Sequence, residues 1–324
     1  MQIPLDLART LAAVIDEGTF DAAARRLRLT PSAVSQRVKT LEQRLGRVLV
    51  VRSKPARATE AGAVVVRLAR QLALLEHDAL AEFGLDADSV ADTEAGAAIG
   101  ARSAAVRPVA IPLAVNADSL ATWFLPALAR VAEAHPVVFD LHRDDQDFTA
   151  GLLESGTVMG AVTSQATPVA GCLVHPLGVM RYEAVATPAY VARWSAGHGD
   201  GERRGPGAVA SALPAWLVHA PLVDFDRRDH LQHDALRAAG FDPERAPRHY
   251  VPASNDFASA VKLGLGWGML PEFQSSPELE HGELVRLGGP PVGVPLYWQQ
   301  WNLSSPLLDA VAESLASEAR RTLV

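Results

Sequence analysis

Two groups of residues in this sequence could do chemistry. The first is a cluster of cations within residues 19–59: Arg25, Arg26, Arg28, Arg37, Lys39, Arg44, Arg47, Arg52, Lys54 and Arg57, against Asp21 and Glu42 alone. That segment is +8 in a chain of formal net charge −7, which leaves −15 for the remainder. A basic module on an acidic body suits a phosphate backbone, although a solvated cationic face would carry the same charge. The second group lies at the ends of apolar runs: Asn116-Ala117-Asp118-Ser119 after VAIPLAV, Arg143-Asp144-Asp145-Gln146-Asp147 after VVFDLH, Thr163 closing VMGAVT, and Asp224 and Asp226 around Phe225 after PLV. A helix beginning near Asn116 would offer unpaired N–H groups and a positive dipole end to a carboxylate. Acids at a strand's carboxyl end favour a cation, and ligands of open α/β sheets bind at that edge. An anion site facing an acid cluster describes an amino acid with a positive side chain. The plainer alternatives are that Asp118 caps a helix and that the acids at 144–147 form a solvated loop.

The basic cluster has a frame. Leu7, Leu11, Val14 and Ile15 give residues 5–16 an amphipathic helical period, interrupted at Gly18. Thr19 is a good N-cap for the short helix DAAARRL, whose inner face is Phe20, Ala23, Ala24 and Leu27. After a turn at Arg28-Leu29, Thr30-Pro31 is a cap followed by proline at the first helical position. The third helix buries Val34, Val38, Leu41 and Leu45 and ends at Gly46. Two short helices across a tight turn, with alanines where they cross, predict a helix-turn-helix.

On the third helix Ser32, Ala33, Ser35, Gln36, Lys39 and Gln43 face outward, as short or amide side chains must to reach base edges in the major groove. LVVRSKPARATEAG then reads as a β-wing with Arg52, Lys54 and Arg57 placed on phosphates. The expected DNA contacts are Arg28, Thr30, Ser32, Ala33, Ser35, Gln36, Lys39, Arg52, Lys54 and Arg57.

From Thr59 to Phe83 the only helix breaker is Gly62, and Leu68, Leu72, Leu75, Ala79 and Phe83 form a stripe. Such a helix spans about 36 Å. Its stripe has no evident partner in residues 1–58, so pairing with a second copy is expected. Residues 86–106 read as a loose connector. From residue 108 strands and helices alternate, predicting an α/β domain with a largely parallel sheet. VAIPLAV, VVFDLH, VMGAVT and LVHPLGV supply the strand candidates and SLATWFLPALARVAEAH the first helix, while EAVAT, PLVDF, DHLQHDALRAAG, SNDFASAVKLGLGWGMLP, ELVRL and VPLYWQQWN mark further strands or helices. SAGHGDGERRGPG reads as an exposed loop.

Other chemistry is poorly supported. A single cysteine, Cys172, excludes a disulfide framework and a multi-cysteine metal site, and reads as core. His230 and His233 beside Asp226 and Asp229 suggest a helix surface rather than a metal centre, and GLGWG lacks phosphate-binding spacing. Trp123, Trp267, Trp298 and Trp301 read as packing residues. No nucleophile or acid–base constellation points to an enzyme, and no cofactor is implied. No apolar run reaches the roughly 20 residues of a membrane span, and the N-terminus lacks a signal-peptide core. A cytoplasmic location is the simplest expectation.

The run GTFDAAARRLRLTPSAVSQRVKTLEQRLGRVLVVR, the long helix and the α/β body together resemble the LysR-type transcriptional regulators across essentially the whole chain. The resemblance implies a winged helix-turn-helix over residues 1–58, a dimerising linker helix and connector over 59–106, and an effector-binding domain over 107–324. That domain is expected to have two lobes of the periplasmic-binding-protein type, lobe I at 107–180 and 269–324 and lobe II at 181–268, with the effector between them. It further implies double-stranded DNA as partner, a homodimer assembling into a homotetramer, and RNA polymerase as a further contact. VNADSLATWFLPAL, DDQDFT and LVDFDRRDHLQ resemble more narrowly the ArgP/LysG-type subgroup, which controls export of basic amino acids and responds to lysine or arginine. Asn116, Asp118, Ser119, Asp144, Asp145, Thr163 and Asp224 are the effector-site candidates. The alternatives are a regulator answering an aromatic or organic acid, and a solute-binding transport component. The second would need a secretion signal and would have no use for the head.

Overall fold

The computed structural model describes residues 2–83, 108–143, 149–196 and 212–324. The acids Asp144 and Asp145, the connector at 86–106 and nearly all of the glycine-rich segment at 195–207 lie outside the described residues. The chain divides into two compact units. One comprises Met1–Val115, Leu128–His175 and Trp298–Ser314; the other comprises Asn116–Ala127, Pro176–Tyr297 and Leu315–Val324.

The first unit opens with α1 (Leu5–Glu17), α2 (Phe20–Arg26) and α3 (Pro31–Leu45). The hydroxyls of Thr19 and Thr30 each accept a backbone N–H of the helix they start, from Ala22 and Ala33 at 3.2 Å, as their types predict. Gly18 and Gly46 end α1 and α3 in the left-handed conformation. Leu11, Val14, Ala23, Val34, Val38 and Leu41 close a dry core between the three helices. A two-stranded wing follows, β1 (Val50–Val51) antiparallel to β2 (Arg57–Ala58). Glu42 helps place it, its carboxylate accepting the Leu49 N–H at 2.8 Å and the Val50 N–H at 3.4 Å.

The long helix α4 (Glu60–Glu82) is capped by the Thr59 hydroxyl. It packs on the head through Val65, Val66 and Ala69, a face that adjoins the expected stripe. Leu75 and Phe83 of that stripe remain 37% and 76% exposed, and Leu68 and Leu72 half-buried.

In the α/β part of this unit, β3 (Val109–Val115) pairs in parallel with β4 (Val137–Arg143) along its whole length and with β5 (Gly160–Thr163). The region SLATWFLPALARVAEAH forms two helices rather than one: α5 (Ala117–Thr122) and α6 (Phe124–Ala134), with α7 (Thr149–Glu154) further along the chain. The break falls at Trp123, which is 1% exposed and lies edge-on to Phe124. Pro126 in the first turn of α6 supplies no N–H, and its ring would clash with the Thr122 carbonyl of a continuous helix, so a new helix starts at Phe124.

In the second unit the expected parallel pattern gives way. LVHPLGV and EAVAT belong to one strand, β6 (Cys172–Ala186), which Gly178 passes through at φ 136°. After α8 (Pro188–Ser195) come β7 (Leu222–Asp224) and α9 (Leu231–Ala238), then β8 (Arg248–Tyr250), parallel to β7. Next are α10 (Ser254–Lys262), β9 (Gly268–Pro271), α11 (Glu272–Glu280) and β10 (Val285–Arg286); β9 and β10 both run antiparallel to β6. The sheet is therefore mixed, because a strand as long as β6 pairs with segments returning in the opposite direction. β11 (Val292–Trp301) and α12 (Pro306–Thr322) complete the chain. Trp123, Trp267, Trp298 and Trp301 are core residues as expected. Cys172 is not: it opens β6 and stays half-exposed.

Candidate DNA interface and effector site

The outer face of α3 carries Ser32, Gln36, Lys39 and Gln43 in the open, with Ala33 and Ser35 half-buried beside them. Thr30 is exposed but already committed as the cap. Arg28 occupies the turn at φ 53°, with its side chain exposed. The wing holds Arg52, Lys54 and Arg57 exposed. Its tip docks on the break between α1 and α2, where the Ala56 N–H donates to the Gly18 carbonyl at 2.7 Å. Gly18 has φ 68°, a conformation that favours glycine, and a Cβ there would stand in tight contact, 3.0 Å from Pro55 Cβ.

Three cations of the basic cluster also have partners within the head. The Arg52 guanidinium lies 4.8 Å over the Phe20 ring, Arg26 pairs with Asp16 and Glu17, and Arg37 reaches the buried Thr10 hydroxyl at 3.5 Å. Stacking on Phe20 fixes one face of Arg52 while leaving its N–H edge for an acceptor.

The second unit gathers the acidic candidates. Asn116 stands at the N-cap of α5 without a side-chain cap bond, and it and Ser119 are buried. Asp118, in the first turn, does not cap the helix. Its carboxylate accepts the Tyr182 hydroxyl of β6 at 2.8 Å, and the hydroxyl of Ser254, the first residue of α10, is near enough to favour its ionised form. Ser254 in turn accepts from Gln274 at 3.0 Å. Since α10 packs against α5, two helix N-termini meet at Asp118. Burial pushes the Asp118 carboxyl above its ordinary range; the Ser254 and Tyr182 hydroxyls pull it back, and Asp229 adds repulsion.

Asp224 closes β7 at 1% exposure, paired with His233 at 3.2 Å and Arg248 at 3.4 Å. Burial pushes its carboxyl upward too, and Asp229 opposes its ionisation as it does that of Asp118. His233 is thus not on a free helix surface but packed on that carboxylate. Asp226 is spent on its own turn, accepting the Arg228 N–H at 2.7 Å. Among the described residues no group of three His, Cys, Asp or Glu could hold a metal. Thr163 lies in the other unit, buried at the end of β5, where its hydroxyl accepts the Gln165 N–H at 3.1 Å.

Asn116, Asp118 and Ser119 are thus brought together, and Asp229 links that cluster electrostatically to Asp224. Sequence reasoning missed Tyr182, Ser254 and Asp229 as partners. Ser254 carried a weak signal, a serine at the start of the amphipathic run SNDFASAVK; Tyr182, inside a strand, carried none.

Residues 5–63 match the bacterial regulatory helix-turn-helix protein, lysR family, and residues 111–320 match the LysR substrate binding domain. The chain is 43% identical over 309 residues to the HTH-type transcriptional regulator LysG of Mycobacterium bovis, covering 95% of this chain and 91% of the relative. It is 42% identical to the lysine export transcriptional regulatory protein LysG of Corynebacterium efficiens, covering 97% of each. The crystal structure of ArgP from Mycobacterium tuberculosis superposes with a TM-score of 0.77 at 40% identity, covering 98% and 97% of the two chains. Full-length LysG from Corynebacterium glutamicum with bound effector Arg superposes at 0.68 and 36%, covering 99% of each. Among the described residues no helix is long and apolar enough to cross a membrane. A winged helix-turn-helix, a long linker helix and an α/β substrate-binding domain in one chain, matched along both parts, make this protein a member of the LysR family of DNA-binding transcription regulators.

Proposed function

We propose that this regulator senses a basic amino acid, lysine or arginine, and controls transcription of an amino-acid exporter gene. The observation that carries the reading is the half-buried Asp118 carboxylate, which accepts the Tyr182 hydroxyl in the first turn of α5, against which α10 packs. Helix N-termini suit an α-carboxylate. Asp118, with Asp229 nearby, suits an ammonium or guanidinium. Relatives named for lysine export, and one described with arginine bound, support the same ligand class.

In this reading α3 enters the major groove with Ser32, Ala33, Ser35, Gln36 and Lys39 toward the bases. Arg28, Arg52, Lys54 and Arg57 contact phosphates. The exposed Leu75 and Phe83 of α4 form part of a seam with a second copy, and dimers associate into a tetramer. The effector alters DNA binding only through its differential affinity for two arrangements of the protein. Asp144 and Asp145 remain candidate ligands for the effector's cation.

A thermal-shift titration of the full chain tests the ligand, with lysine, arginine, histidine, leucine, glutamate and benzoate. A ligand at a hundred times its Kd adds about 2.7 kcal/mol. Stabilisation by the basic amino acids alone is the expected result. A response only to benzoate would retain the family and replace the effector.

A further inference from the structure

The first unit contains a polar connection that the DNA-binding and effector roles do not use. Arg70 of α4, with its side chain only 15% exposed, donates to three acceptors from two separate parts of the chain. One is the Asp16 carboxylate in the last turn of α1; the others are the backbone carbonyls of Gly156 and Thr157, the second at 2.9 Å, in the turn that leads from α7 into β5. Asp16 also accepts Arg26 of α2 at 3.3 Å. A continuous chain of charge-assisted bonds therefore runs from α2 through Asp16 and Arg70 to the turn before β5.

Shape reinforces this connection. Gly156 has φ 69°, and a Cβ there would fall 2.5 Å from Arg67 Cβ, so the α4 backbone rests directly on that turn. Arg67 donates to the carbonyls of Ala170 and Gly171 at 3.2 and 3.4 Å, one helical turn before Arg70. An exposed ion pair would contribute little. A guanidinium that is mostly enclosed and satisfies two backbone carbonyls as well as a carboxylate is a stronger and more directional link.

We propose that Arg70 is a positioning residue that fixes the helix-turn-helix to the turn before β5, so that movement of that turn is passed to the DNA-binding head. The connection itself is independent of which effector binds; its use in regulation rests on the basic-amino-acid reading above.

The test uses the full-length protein with Arg70→Met, which keeps the length of the side chain, with Asp16→Asn, and with Gly156→Ala. Amide hydrogen exchange is followed over residues 155–159, where Thr157 donates to the Leu152 carbonyl and Met159 to Pro112. Asp16→Asn lies in the head, yet it is expected to speed exchange there about five-fold by weakening Arg70's hold. A purely local role for Asp16 would leave those amides at the wild-type rate, and that result overturns the proposal. DNA affinity is measured with and without lysine or arginine, and effector affinity by calorimetry. Arg70→Met is expected to bind the effector within about two-fold of wild type while losing most of the effector's influence on DNA binding. A full effector response in both Arg70→Met and Gly156→Ala would equally refute it. A wild-type protein that ignores basic amino acids would instead defeat the effector reading, and the exchange experiment would still decide the connection.

Discussion

The Tyr182 hydroxyl donates to the Asp118 carboxylate at 2.8 Å, joining a strand to the start of a helix 64 residues away in sequence. The bond fixes the orientation of a half-buried acid. Removing the hydroxyl with Tyr182→Phe should weaken lysine or arginine binding by about 1 kcal/mol or slightly more, and Asp118→Asn by more, while DNA affinity without effector stays unchanged. Calorimetric titration checks both. Equal affinity in wild type and Asp118→Asn would remove Asp118 from the site.

The same carboxyl sets a pH dependence. Its folded value is raised above the ordinary 3.8, so the folded state keeps this proton longer than the unfolded chain. Asp118 therefore costs stability progressively as pH rises from 3.8 to the raised value, and fully above it. A cationic effector needs the ionised form, so its affinity should rise with pH through that window and release a proton on binding. In Asp118→Asn this part of the pH dependence should be absent.

Base-reading and phosphate-reading residues should separate by salt and by sequence. Gln36→Ala is expected to cost about 1–3 kcal/mol on the cognate operator and relax preference at one base pair. Arg57→Ala should weaken binding to all sequences and lower the slope of log affinity against log salt by about one. Fluorescence anisotropy across a salt series distinguishes the two patterns.

Thr30 is both exposed and the cap of α3. Thr30→Ala should destabilise the head by about 1 kcal/mol through loss of the bond to the Ala33 N–H, and Thr30→Ser should restore it. Chemical denaturation followed by circular dichroism measures the difference.

The exposed stripe of α4 gives a prediction about assembly. Leu75→Glu together with Phe83→Glu should shift the protein toward monomer in sedimentation experiments, because a charge in an apolar seam must be desolvated. The head core, built on Val65, Val66 and Ala69, should be unaffected.

Local rules carried the head almost completely. Thr19, Gly18, Thr30-Pro31 and Gly46 act through backbone bonds within a few residues of themselves, so their types alone placed α1, α2 and α3 and set Ser32, Gln36 and Lys39 outward. The apolar runs likewise marked β3, β4 and β5. Tertiary packing decided the rest. Whether LVHPLGV and EAVAT are two strands or one depends on the antiparallel partners of β6, far along the chain. How far the apolar surface of α4 is buried depends on the head, whose core takes in Val65, Val66 and Ala69 and leaves Leu75 exposed. Asp118 and Asp224 look alike in sequence, each following an apolar strand. Only the fold gives Asp224 two basic neighbours, Arg248 and His233, and leaves Asp118 beside the neutral hydroxyls of Tyr182 and Ser254. The chemistry of a carboxylate depends on what surrounds it, and those neighbours come from segments that sequence spacing does not connect.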